Sequence, residues 1–244
     1  MDVETFCERY PRLFHLADAR NWPSIQRWGL LSTHRLIERF ARGRDEEIEA
    51  ARRNSPVCIP TGLPTTPAVY IRDQHQINPP QLPGCLVGCN EKEYRWLLNR
   101  RVFFWTDPLR LQRLHRYYRR QPQMLLIVDS RRLLQRHSER VELTAINSGY
   151  VRRKPALRGP HTFKSLAAWP EMQRPKVVEA TILDGVPDIL ELLVAVDYCS
   201  GQELTVESQP GNDGPPASST ADEVSGTNPP AVAEISQDHS ADTE

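Results

Sequence analysis

No stretch of this sequence approaches the ~20 apolar residues that a membrane-spanning helix needs. The longest runs are MLLIV at 124–128 and ILELLVAV at 189–196, so no bilayer-crossing segment is expected. The opening MDVETFCERYPRLFH lacks the basic start, apolar stretch and small-residue cleavage site of a secretory signal, and a cytoplasmic location is the expectation. Cysteine is scarce and odd in number: Cys7, Cys58, Cys85, Cys89 and Cys199. Without an export signal these read as free thiols rather than a disulfide framework. Cys85 and Cys89 form a C-x3-C pair, but a structural zinc needs about four ligands and no second pair stands nearby, so no metal is expected. Also missing are G-x-G-x-x-G, the P-loop, the G-x-S-x-G elbow and H-E-x-x-H. The common dinucleotide, phosphoryl-transfer, esterase and zinc-protease designs therefore lack their signatures.

Another absence divides the chain. From Gly201 to Glu244 there is no Lys, Arg, Trp, Phe, Tyr, Met or Cys, while nine acids and five prolines are spread among Ser, Thr and Gly. Such a segment cannot bury enough apolar surface to offset the entropy of ordering, and it reads as a disordered acidic tail, 201–244. Residues 1–200 then carry all 31 basic residues against 22 acids, a net of +9 hidden beneath an overall charge of zero. A basic folded part favours a polyanionic partner such as DNA or RNA, although charge of this size also serves as an ordinary solvated surface.

What is present within 1–200 reads as one α+β domain with an extended loop at 60–90. RLFHLA has the content of a strand, Asn21 is a plausible N-cap with Pro23 in the first turn of PSIQRW, and Gly29 stops that helix. Ser32 caps a second helix through Arg39, and a polar helix is expected around DEEIEAARR. Short extended pieces follow at VCI and VYI. Asn90 caps EKEYRWLLN, RVFFW is a strand, and Asp107 with Pro108 opens LRLQRLHRYYRR. MLLIV is the continuous apolar run of a strand covered on both faces. After the helix SRRLLQRH come RVELT, the turn NSG, a basic irregular stretch at 150–176, and the strands KVVEATIL and LLVAV.

Several polar residues stand where a purely structural sequence has no need of them: His15 inside the first strand, Arg72 ending VYI, and Glu179 in the middle of VVEATIL. Strand alternation puts Val178, Ala180 and Ile182 on one face, with Val177, Glu179, Thr181 and Leu183 on the other. A strand carboxylate more often faces water than the interior, because Glu is rarely buried unless paired. The strand by itself leaves both orientations of Glu179 open.

At this point the order of the elements becomes recognisable. FHLADARNWPSIQRWGLLS resembles the opening of DarT-type DNA ADP-ribosyltransferases, which read like YHITHIDNLPSIL followed by GLLS. His15, Asn21, Pro23, Ser24, Ile25, Gly29, Leu30, Leu31 and Ser32 fall in register. IEAARRNSPV is similar to the segment of that family that places an arginine before a short strand, and RVFFW stands where its YVPFYF strand comes. MLLIVD with its helix and the INSG turn resemble the family's apolar strand and TDGNA-like turn. VVEATILDGVPDI resembles AEVLVPDRVP, whose glutamate is catalytic. Two departures bear on the acceptor: Asp18 replaces a second histidine, and RVFFW lacks the Pro-Arg-x-Pro-Met-Leu that usually follows. IRDQ and LLNRRVFFW are also similar to a broader bacterial family of no assigned activity.

The resemblance implies an ADP-ribosyltransferase-like split β-sandwich with short flanking helices, and NAD as substrate lying across the cleft. It implies Glu179 as the catalytic carboxylate beside the ribose, with Arg52 or Arg53 pairing with the pyrophosphate or the acceptor. His15, Asn21 and Ser32 become polar contacts to NAD, Arg72 a second anion-binding group, and Phe104 or Trp105 a ring that stacks on nicotinamide. The acceptor it suggests is a DNA or RNA base. The alternative is a non-catalytic relative that binds nucleotide or nucleic acid on the same fold.

Overall fold

The structure is a computed structural model that describes residues 1–44, 48, 56–72, 81–151, 155–170 and 176–199. The expected helix around DEEIEAARR, except Ile48, and the acidic tail lie outside the described residues.

The centre is a seven-stranded sheet in the order β11-β6-β1-β5-β9-β7-β8. Its strands are β1 (Arg12–Asp18), β5 (Arg101–Trp105), β6 (Gln123–Asp129), β7 (Val141–Thr144), β8 (Lys164–Ser165), β9 (Glu179–Leu183) and β11 (Leu193–Cys199). Every neighbouring pair in the sheet is antiparallel. Sequence neighbours are mostly not sheet neighbours, so helices and loops cross between strands, and the α+β reading holds at this level. β6 is buried along its length. Met124, Leu126 and Val128 enter one apolar cluster while Leu125 and Ile127 enter another. An unbroken apolar run is what a strand clad on both faces requires, each side chain contributing about 1.5–3 kcal/mol of burial.

Local chemistry sets the helix starts. Ser32 Oγ accepts from Arg35 N at 3.3 Å and opens the helix Thr33–Phe40. Asn90 and Glu93 exchange hydrogen bonds of 2.9 and 2.8 Å in a capping box before Glu91–Asn99. Asp107 accepts from Leu109 N at 2.9 Å ahead of Pro108–Tyr117. Asn21 departs from expectation. It precedes the helix Trp22–Trp28 but makes no side-chain cap, because its amide is engaged elsewhere. Gly29 ends that helix at φ +78, and a Cβ there would stand 2.4 Å from Pro187 Cα, so both conformation and space demand glycine.

The stretch at 60–90, expected as an extended loop, begins instead as part of a hairpin of β3 (Val57–Leu63) and β4 (Thr66–Ile71). Ile59, Val69 and Ile71 are buried against Ile37 and Ala41. Those partners come from the preceding helix, which is why short VCI and VYI by themselves understate the pairing. A second small ribbon joins β2 (Leu30–Leu31) to β10 (Gly185–Val186).

The alternation expected around Glu179 fails by one residue. Val177, Ala180 and Ile182 share the larger cluster, whereas Val178 joins Phe14 and Trp105 in the other. Thr106 holds the irregular backbone here, its hydroxyl donating to Val177 O at 2.6 Å. Among the described residues no helix is long and apolar enough to cross a membrane.

Candidate functional site

The sheet is incompletely zipped between β1 and β5. Their ladder has one register pair, Phe14 opposite Trp105. Beyond it the strands part, and His15 fills the place of a ladder hydrogen bond, its Nδ1 lying 2.9 Å from Phe103 O. A carbonyl only accepts, so Nδ1 carries the proton in this contact. The gap widens into a cavity of about 130 Å³ lined by both strands, by Asn21, Ser24 and Ile25, by the segment Gly29–Thr33, and by Tyr70, Ile71 and Arg72. A cavity of this size takes one ring, on the scale of the ~150 Å³ void that accepts benzene. It is well short of the ~300–1,000 Å³ of pockets that enclose a drug-sized ligand.

Five of the residues singled out from sequence meet here: His15, Asn21, Ser32, Arg72 and Trp105. Their freedom differs. Asn21 Nδ2 donates to Tyr70 O and its Oδ1 accepts from Tyr70 N, both at 2.8 Å. The amide is thereby a clamp that fastens β4 to the end of β1 rather than a group offered to a ligand. Ser32 spends one lone pair on its helix cap. Arg72 is 6% exposed, donates to Leu16 O at 2.7 Å, and sets its guanidinium 4.4 Å from the Tyr118 ring centre. It places a buried positive charge in the wall. Asp18 is buried and held by Arg20 through contacts of 2.9 and 2.6 Å. Arg101 adds a second buried guanidinium, paired with Glu142 at 2.7 Å. Of the two aromatics considered for stacking, only Trp105 lines the cavity; Phe104 belongs to the core.

Glu179 does not line this cavity. It lies one strand further along, and the row Phe14, Trp105, Glu179, Thr144 crosses four strands in register. Cross-strand partners point to the same face, so Glu179 stands beside Trp105 on one face of the sheet, while His15, next to Phe14 in β1, points to the other with its ring 5.7 Å from that of Phe104, and the two side chains expected in one cleft are not brought together there. The exposed orientation left open by the strand pattern is excluded, since Glu179 is 3% exposed. Ser148 compensates its burial by donating its N–H at 3.1 Å and its hydroxyl at 2.7 Å to Glu179 Oε2. Desolvation nevertheless dominates and pushes the Glu179 pKa up to about 7, with the Ser148 hydrogen bonds opposing. Arg52 and Arg53 lie outside the described residues.

Sequence reading singled out neither Ser148 nor the groups that hold it. Tyr94 OH donates to Ser148 O at 3.0 Å, and Arg158 Nη2 donates to Asn147 O and Tyr150 O at 3.2 and 2.6 Å. The only local sign was the NSG turn, and a turn signature says nothing of a carboxylate 31 positions away. Cys85 is buried with its thiol directed to Leu82 O, and no group of three or more His, Cys, Asp or Glu among the described residues is arranged to hold a metal.

Comparison with curated proteins returned no match, and comparison with solved structures returned none either. A family model does match: the Family of unknown function (DUF7002) spans residues 11–193. That range takes in every residue of the cavity wall, together with Glu179 and the loop that holds it. The chain belongs to the DUF7002 family.

Proposed function

We propose that the chain transfers ADP-ribose from NAD to an acceptor, on an ADP-ribosyltransferase-like fold whose cleft is the gap between β1 and β5. The observation that carries the reading is the register row that sets a buried carboxylate, Glu179, next to Trp105 at the wall of a cavity containing His15, Ser32 and a buried arginine. The cavity's volume suits one ring of NAD, so the remainder of the dinucleotide runs outside it. Nicotinamide is cationic in NAD and leaves with the bonding pair as a neutral base, so its departure needs no general acid. The positive charge left on the ribose is what needs stabilising, and an anionic Glu179 supplies that in a site that excludes water. With its pKa near 7, the same carboxylate is placed to take the proton that the acceptor loses on attack. The excess of basic residues in 1–200 favours a DNA or RNA acceptor.

The test is incubation with labelled NAD and a panel of DNA, RNA and protein acceptors. Glu179→Gln keeps the size but removes the charge, and is expected to lower transfer at least ~100-fold while leaving NAD binding intact. His15→Ala is expected to weaken NAD binding. NAD binding without transfer to any acceptor would establish the non-catalytic alternative, and neither binding nor transfer would overturn the reading.

A further inference from the structure

The two oxygens of Glu179 are treated differently. Oε2 receives both Ser148 donors, at 3.1 and 2.7 Å. Thr144 Oγ stands 3.4 Å from the same oxygen, but its single proton goes to the nearer Ile146 O. Oε1 accepts no hydrogen bond among the described residues. The donors of the fold converge on Oε2, so the two oxygens of one carboxylate are held in chemically different surroundings.

The donor loop is itself immobilised. Ser148 O, Asn147 O and Tyr150 O are each taken by a buried side chain, the first by Tyr94 and the others by Arg158. Arg158 is 4% exposed and also donates to Ala156 O at 2.6 Å. Tyr94 and Arg158 thus hold the loop by hydrogen bonds, fixing where Ser148 points. Arg110 and Tyr94 are charged or titratable groups that interact with Glu179.

We propose that Ser148 is the positioning residue of Glu179: it pins Oε2 through two donors and reserves Oε1 for the reacting ribose. This rests on the transfer reading for the site. Without the hydroxyl the carboxylate is held by one backbone N–H, turns more freely about its terminal torsion, and holds its negative charge less well.

The experiment uses the full chain with Ser148→Ala, Ser148→Thr and Glu179→Gln. Infrared difference spectra across pH follow the protonated carboxyl band that Glu179→Gln removes, and NAD turnover is measured over the same range. In Ser148→Ala the band is expected to persist to higher pH, with turnover at pH 7 lowered roughly tenfold, the scale of a lost charge-assisted hydrogen bond, and regained at higher pH. Ser148→Thr restores both profiles. Ser148→Cys, close in size with a weaker donor, provides an intermediate case should the Ala variant fail to fold. Titration and turnover profiles that match wild type in the Ala or Cys variant would overturn the proposal. A shifted band in a chain without turnover would sustain the hold of Ser148 on Glu179 while overturning the transfer reading.

Discussion

Replacing Glu179 by Gln probes its burial independently of any activity. In the unfolded chain the carboxyl titrates at its ordinary value of 4.5, whereas burial raises it to about 7 in the folded state. Between those values the native protein keeps a proton that the unfolded chain has released. Because the folded pKa is the higher one, the stabilising contribution is fully present below pH 4.5 and is lost as pH rises through 7. A gap of about 2.5 pH units at ~1.36 kcal/mol each amounts to about 3 kcal/mol, a large share of the ~5–15 kcal/mol that holds a typical domain together. Gln does not titrate, so the variant escapes this loss. The difference in unfolding free energy, variant minus wild type, is expected to move by about 3 kcal/mol in favour of the variant between pH 4 and pH 8. Urea unfolding of both chains at several pH values measures it, and taking the difference cancels the other titrating groups. A difference that stays flat with pH would refute the reasoning, because Glu179 would then be a solvated carboxylate with an ordinary pKa.

Two further substitutions test the framework of the cavity. Asn21→Ala removes both bonds to the Tyr70 backbone and leaves a half-buried N–H and C=O to find new partners, so a loss of about 1 kcal/mol is expected by chemical denaturation, with faster hydrogen exchange at Tyr70. Gly29→Ala combines a positive φ with a clash against the Pro187 backbone and is expected to cost more than about 2 kcal/mol, visible as a lowered Tm; an unchanged Tm would mean that β2 and β10 do not approach as described.

The parts of the fold that were legible in the sequence are those decided within a few residues. Ser32, Asn90 and Asp107 reach backbone groups two or three positions ahead, so their caps are visible in the local pattern. MLLIV was legible because five consecutive apolar side chains leave no face for water. His15, Ser32, Arg72 and Trp105 came from the resemblance and from polar residues standing in apolar surroundings, and the cavity gathers all four. Asn21 was misjudged as a cap because its partner, Tyr70, is 49 positions away and a better local candidate was absent. The β3–β4 hairpin was understated for a similar reason, its apolar side being completed by Ile37 and Ala41 of the preceding helix and its C-cap rather than within the strands themselves.

The sequence by itself therefore determined most of the element types, the helix starts at Ser32, Asn90 and Asp107, the strand clad on both faces and the short roster of polar candidates, since each depends on periodicity or on bonds a side chain makes to its own neighbourhood. Tertiary structure alone decided that β1 and β5 part after a single register pair, that Glu179 is set beside Trp105 on the face opposite His15, and that Ser148 meets the carboxylate. Whether a strand glutamate is solvated or buried near neutral pKa depends on which distant backbone and hydroxyl donors surround it. Their identity is a property of the folded chain, because desolvation and its compensation are settled by partners that local pattern does not encode.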